Sequence, residues 1–264
     1  MNTYYDRYEV SSHDVDINNN IRPSIVARIM QETANHHMRD RKPSYYDLFF
    51  SGKSFIVTRM AIEMLDDINQ YDDLESHTWR CPEKAATFIR CFVLTRDGKP
   101  VAKAYSEWAV ANRHTGKLCR AKEVDISNYE TDEPIEVNNP VKFRFPKGLE
   151  FEYCGIKKVM YSDVDMNMHM NNTYYEDMLW NYIPDVQDKK MTSFSLRFMA
   201  EAPFEGEIEI YRAKAEETVS DTLGAEETYY FYSKVDGRTN IEAVVSAKKA
   251  EKQVLEIQGE SEEN

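Results

Sequence analysis

One motif occurs twice in this chain. Asp14-Val-Asp16-Ile-Asn18 returns as Asp163-Val-Asp165-Met-Asn167, with the same offset of 149 residues at every matched position. Each copy stands just ahead of a stretch whose apolar residues fall at helical spacing, and each stretch is followed by runs that read as strands. The first helix is expected from Ser24 to Asp40, behind Arg22-Pro23, with Val26, Ile29, Met30 and His37 on one side; proline at the first turn is a usual start. The second is expected from Asn172 to Ile183, with Tyr175, Met178, Leu179 and Tyr182 on one side and Pro184 as its stop. A further echo follows the helices, Arg59-Met60-Ala61 against Phe198-Met199-Ala200, at an offset of 139. A helix followed by antiparallel strands makes an α+β layer in which the sheet covers the helix. Two such units can continue one sheet edge to edge, which hides edges that would otherwise stand open.

The strand signals are Phe88–Leu94, Val101–Ala111, Glu207–Lys214, Thr228–Lys234 and Ile241–Lys249, all rich in β-branched and aromatic residues. Asp97-Gly98 and Asp236-Gly237 lie between such runs, where hairpin turns belong. The expected division is a first unit over 1–125, a linker over 126–148 containing Pro134, Pro140 and Pro146, a second unit over 149–252, and an acidic tail over 253–264. At 264 residues and 42% hydrophobic the chain can bury such cores. No apolar run approaches the roughly 18 residues of a membrane span, and the polar start MNTYYDRYEV has no signal-peptide character. A cytoplasmic protein without membrane insertion is expected. The four cysteines form no CxxC pair, so metal-knuckle and disulfide frameworks are not expected, and buried free thiols are. A net charge of −13 argues against nucleic acid as a partner.

The densest polar constellation is Asp163-Val-Asp165-Met-Asn167-Met-His169-Met-Asn171-Asn172, in which polar and apolar residues alternate. In an extended chain, Asp163, Asp165, Asn167, His169 and Asn171 would share one side. Three readings compete. A calcium loop of the Asp-x-Asp-x-Asn kind needs glycine at its sixth position and glutamate at its twelfth, and these are Met168 and Tyr174. Helix capping explains Asn171 or Asn172 but requires neither the histidine nor the two aspartates. A hydrolytic site uses every part: histidine as general base, a carboxylate to orient it, and an amide with helix N–H groups to hold a developing oxyanion. Under the 149 offset His169 falls opposite Asn20, so the first copy lacks the base, while Asp163 is matched by Asp14 and reads as scaffold.

Asp165-x-Asn167-x-His169-x-Asn171-Asn172-x-x-Tyr175 resembles the catalytic signature of the acyl-ACP thioesterases of plants and bacteria. The likeness extends to Tyr8-Glu9-Val10, Arg22-Pro23, Gln31-Glu32, and Glu107-Trp108-Ala109 with Asn112. It implies a tandem double hot-dog fold, two helix-wrapped antiparallel sheets joined into one continuous sheet, with the catalytic site in the second unit and the acyl tail in the first. It also implies a further glutamate about thirty residues beyond the histidine, matched by Glu201, followed in plant members by a cysteine where this chain has Ala202. The catalytic set implied is thus Asp165, Asn167, His169 and Glu201, working without a thiol, a metal or another cofactor. Either His169 and Glu201 activate water, or Asp165 or Glu201 attacks as a nucleophile through an anhydride. Val26, Ile29, Met30 and Thr33 are expected to wall the tail site, or simply to pack on the sheet.

The implied partner is acyl carrier protein. Residues 113–122 hold four basic residues and no acid, and Lys142, Arg144, Lys147 and Lys157-Lys158 add to them. An acidic carrier would be steered to such a patch. Related readings are a hot-dog acyl-CoA thioesterase or a dehydratase, and one of another class is a non-catalytic acyl-thioester-binding module. A tandem chain supplies its own pairing, so a monomer or a homodimer is expected.

Overall fold

The computed structural model describes residues 2–82, 87–120, 123–219 and 222–251, and the expected tail at 253–264 lies outside them. The first half runs β1 (Tyr4–Glu9), α1 (Pro23–Arg41), α2 (Tyr45–Phe50), β2 (Lys53–Met64), β3 (Asp73–Arg80), β4 (Phe88–Arg96) and β5 (Lys99–Asn112). The second runs β6 (Glu152–Lys158), α3 (Tyr175–Trp180), β7 (Lys189–Phe198), β8 (Glu207–Lys214), β9 (Glu227–Val235) and β10 (Arg238–Lys249). The strands form a single ten-stranded sheet in the order β1-β3-β4-β5-β2-β7-β10-β9-β8-β6. Matching β1–β5 with β6–β10 makes that order read the same from both ends. The two halves meet where β2 pairs antiparallel with β7, from Arg59 opposite Arg197 to Glu63 opposite Ser193. The edge-to-edge continuation expected from the repeat is present.

The register corrects one echo. Arg59 pairs across to Glu107 on β5 and Arg197 to Glu242 on β10, each with an ion pair at 3.0 Å. Arg59 therefore corresponds to Arg197, an offset of 138, and not to Phe198. The shared Met-Ala dipeptide is a coincidence one residue out of step, and in a strand such a slip moves every side chain to the opposite face. Both Asp-Gly turns are hairpin turns as expected. Asp97 and Gly98 lie at φ 52° and 73°, Asp236 and Gly237 at 50° and 73°, the left-handed pair a type I′ turn requires.

α1 begins with Pro23 in its first turn and ends with Arg39 and Arg41, which complement the helix dipole. Its Ile25, Val26, Ile29 and Met30 are buried in one core with Leu74, Phe92 and Leu94 of the sheet. α3 is shorter than the helix expected over Asn172 to Ile183. Asn172–Tyr174 is a 3₁₀ turn, six α-helical residues follow, and Tyr182 and Ile183 already bond back three residues. The ending is physical: the residue before Pro184 is steered away from the α region, and 3₁₀ bonds tighten the last turn. α2 was not expected. Ser44 accepts from the Asp47 backbone N–H while the Asp47 carboxylate accepts from that of Ser44, a complete capping box.

Between β5 and β6, Val124, Ile126 and Tyr129 pack against Met38 of α1 and Leu48 of α2, and from about Glu133 the chain crosses the sheet face away from the helices as an extended strap. Trp79 Nε1 donates to Glu133 O, Asn138 binds Glu63, and Asn139 Nδ2 donates to Phe194 O and Ser195 Oγ at 2.9 Å each. Further along, Phe145 and Phe151 pack edge-on against Tyr230 and Tyr232 of β9. Among the described residues no helix is long and apolar enough to cross a membrane.

Candidate active site

The constellation is not extended. Val164 bridges Met170, Asp165 N donates to His169 O, and Met168 turns the chain at φ 64°. The first copy makes the same loop in detail: Val15 bridges Ile21, Asp16 N donates to Asn20 O, and Asn19 turns at φ 61°. The alternation of polar residues therefore does not put five side chains on one side, because the chain doubles back between them. Asp163 Oδ2 accepts from Met160 N (2.7 Å) and Lys157 Nζ (2.5 Å), as Asp14 Oδ2 accepts from Ser11 N (2.8 Å). Asp163 is scaffold, in agreement with its repetition. Asp165 Oδ1 accepts from Asn167 N at 2.8 Å, and Asp16 does the same for Asn18 N. Asn171 caps the 3₁₀ turn through Oδ1 to Thr173 N.

His169 and Glu201 come together from separate parts of the chain. His169 bridges Pro203, Met170 N donates to Ala202 O, and Phe204 N donates to Met168 O, so the loop is laced to the connection between β7 and β8. His169 Nδ1 lies 3.2 Å from Glu201 Oε2, with side chains 33% and 65% exposed. An ion pair this wet adds little stability; its use is to fix the ring. The run into Glu201 is pinned by the buried Asn240, whose Nδ2 donates to Ala200 O and to the Tyr175 hydroxyl, and whose O accepts from Met199 and Ala200 N. Tyr175, part of the motif, thus supports the connection that carries Glu201.

Two cavities meet at this loop. One of about 640 Å³ is lined by Asp165, Asn167, His169, Asn172, Tyr175 and Glu201, together with Phe55 and Arg113. The other, about 700 Å³, lies in the first half between α1, α2 and the sheet, lined by Met38, Tyr45, Phe88, Trp108, Ile126 and Tyr129 among others. Phe55, Asp165, Asn167 and Asn172 border both. The wall supplied by α1 is the face of Gln31, Ala34, Asn35 and Met38. Val26, Ile29, Met30 and Thr33 pack on the sheet instead, Thr33 bonding Ser76. None of the cysteines lines either cavity: Cys81, Cys91 and Cys119 are buried elsewhere, Cys154 is half-buried on β6, and Ala202 is fully buried.

Sequence reasoning missed the contribution of the first half to the loop. Asn167 Oδ1 accepts from the Tyr45 hydroxyl at 3.3 Å and from Arg113 at 3.2 Å. Ser44-x-x-Asp47 is the signal that would have found α2 and with it Tyr45. Of the basic residues expected to form one patch, Lys142 is paired with Glu107 and Lys157 with Asp163, Lys122 lies outside the described residues, and Lys117 and Arg120 are exposed on the turn whose Arg113 and Gly116 line the 640 Å³ cavity.

Comparison with known proteins places this geometry. The profile of the acyl-ACP thioesterase N-terminal domain matches residues 1–129, and that of the acyl-ACP thioesterase C-terminal domain matches residues 153–245. The chain belongs to the acyl-ACP thioesterase family. Within that family it is 25% identical over 225 residues to oleoyl-acyl carrier protein thioesterase 2, chloroplastic, of Arabidopsis thaliana, covering 74% of this chain and 59% of the relative. The chain thus spans little more than half the length of that relative. Its fold matches a crystal structure of an acyl-ACP thioesterase from Bacteroides thetaiotaomicron with a TM-score of 0.80, at 22% identity, covering 94% of this chain and 98% of that one. It also matches the 12:0-ACP thioesterase from Umbellularia californica with a TM-score of 0.78, at 13% identity and 94% coverage of each chain. These likenesses bear out the tandem hot-dog architecture.

Proposed function

We propose that this protein hydrolyses fatty acyl-ACP to free fatty acid and holo-ACP by activating water at Asp165, Asn167, His169 and Glu201. The observation that carries this reading is the meeting of the two cavities at Asn167 and Asp165. An apolar-lined space in the first half takes the acyl tail, and the thioester then lies beside His169. With Glu201 at Nδ1, the imidazole keeps Nε2 for a water molecule. His169 removes a proton as the water oxygen attacks the thioester carbon, and Asn167 Nδ2 donates to the carbonyl oxygen as it becomes an oxyanion. Collapse of the tetrahedral intermediate breaks the carbon–sulfur bond, and the imidazolium returns the proton to the leaving thiolate of the carrier. Asp165 makes the same bond to the turn as its counterpart Asp16, which supports a role in setting Asn167 and His169. α3 is short and Thr173 N is engaged by Asn171, so the oxyanion donor assigned here is the Asn167 amide and not the helix terminus. The exposed Lys117 and Arg120, on the turn that brings Arg113 and Gly116 to the cavity of His169, suit an acidic carrier.

The test is release of fatty acid from a panel of acyl-ACPs, with acyl-CoAs of equal chain length alongside. We expect turnover of acyl-ACP that weakens with added salt, falls about 10²- to 10⁴-fold in His169→Ala, and survives in Cys154→Ala. Faster turnover of acyl-CoA would reassign the carrier, and ligand bound yet intact after long incubation would make the protein a binding module.

A further inference from the structure

Asn167 and its counterpart Asn18 share the same backbone bond to the turn and put their side chains to opposite use. Each donates its backbone N–H to the aspartate two residues earlier. Asn18 then donates Nδ2 to Gln187 O at 2.8 Å, so its amide hydrogen is engaged in holding the two halves together. Asn167 is held by its other end. Oδ1 accepts from Arg113 and from the Tyr45 hydroxyl, while Nδ2 has no partner among the described residues and borders both cavities.

Arginine has donors and no acceptor. The carboxamide atom facing Arg113 must therefore be oxygen, since the flipped amide would point N–H at a guanidinium. Arg113 is itself fixed. Its guanidinium lies 3.6 Å above the Phe49 ring, its backbone N–H donates to Gly52 O at 2.8 Å, and the following turn is held by Asn112 Oδ1 accepting from His114 and Thr115 N. Tyr45 and Phe49 are both on α2, whose start is locked by the Ser44–Asp47 capping box.

We propose that Arg113 and Tyr45, both from the half that lacks the base, are positioning residues that hold Asn167 Oδ1 so that Nδ2–H is presented to the thioester oxygen. This rests on the function proposed above. Neither side chain touches the reacting atoms; both act through one amide, and the catalytic half is incomplete without the other.

The test is steady-state hydrolysis of acyl-ACP by the full chain carrying Arg113→Met, Arg113→Lys, Tyr45→Phe, Asn167→Ala, or Arg113→Met with Asn167→Ala, each checked for an unchanged melting midpoint. Misplacing one oxyanion donor is expected to lower kcat about 10- to 100-fold in Arg113→Met with KM unchanged, and less in Tyr45→Phe. Arg113→Lys, which still donates, is expected to recover most of the loss, and Arg113→Met to have no further effect once Asn167 is alanine. Loss confined to KM would make Arg113 a carrier contact and overturn the proposal, as would an equal loss with and without the Asn167 amide. A parent enzyme that releases no acid overturns the function and this role together; an active parent matched by Arg113→Met and Tyr45→Phe overturns this role alone.

Discussion

Glu176 on α3 is 1% exposed, and its Oε2 has no hydrogen-bond partner among the described residues. Burial pushes its carboxyl up to about 8, with the neighbouring Asp177 adding to the rise. A carboxyl whose folded pKa exceeds its unfolded value binds its proton more tightly when folded. Its contribution is fully present below the unfolded value near 4.5 and is lost as pH climbs through about 8. Glu176→Met is therefore expected to raise the unfolding free energy more at pH 8 than at pH 5, by an amount on the order of 1–3 kcal/mol; equal gains at both pH values in denaturant titrations would refute the assignment. The residues of the candidate site divide by how they are written. His169 and Glu201 were legible, one from its absence in the first copy and the other from the family resemblance. Tyr45 and Arg113 were not, because hydrogen bonds across 122 and 54 residues leave no local spacing to read.

Elements were legible where a local rule fixes them and not where two rules compete. The Asp-Gly turns and β8 fell as expected, since turn chemistry and alternation agree there. The loop from Asp163 to Asn171 alternates like a strand, yet aspartate, asparagine and a left-handed Met168 fold it into a turn, and the side-chain bond of Asp165 to the backbone wins over the extended form. α2 shows the opposite weakness. Six residues are too few to hold a helix on propensity alone, so its ends and packing decide it. Removing the Ser44 hydroxyl in Ser44→Ala is expected to cost about 1 kcal/mol in that helix. Hydrogen exchange is expected to speed up at the first amides of α2 and at Leu48, while amides in β7 and β10 keep their rates. Uniform acceleration throughout the chain would mean that α2 does not open locally.

The whole molecule is a single sheet with a strap across its outer face, and both features tie the halves together. Asn139, 2% exposed, reaches from the strap to Phe194 and Ser195 on the strand at the seam. Asn139→Ala removes two buried hydrogen bonds and is expected to destabilise the chain by roughly 1–3 kcal/mol. Because β2 and β7 are paired, calorimetry is expected to record one transition that moves down as a unit. Two separating transitions would mean that the halves fold independently. The overall plan was visible in the repeat and the linker in its prolines, but not the face the linker covers, since an irregular segment with three prolines has no period to betray it.

The pairing of β2 with β7 also bears on how such a chain can change over generations. In an assembly of two identical subunits, each mutation appears at both sites at once, so a loss at one is a loss at both. Here the two loops are encoded separately, Asn20 in one and His169 in the other. Selection can let one copy surrender its chemistry and widen into a container while the other is held to its task. A duplication that leaves the fold's symmetry intact thereby allows its two ends to follow separate histories.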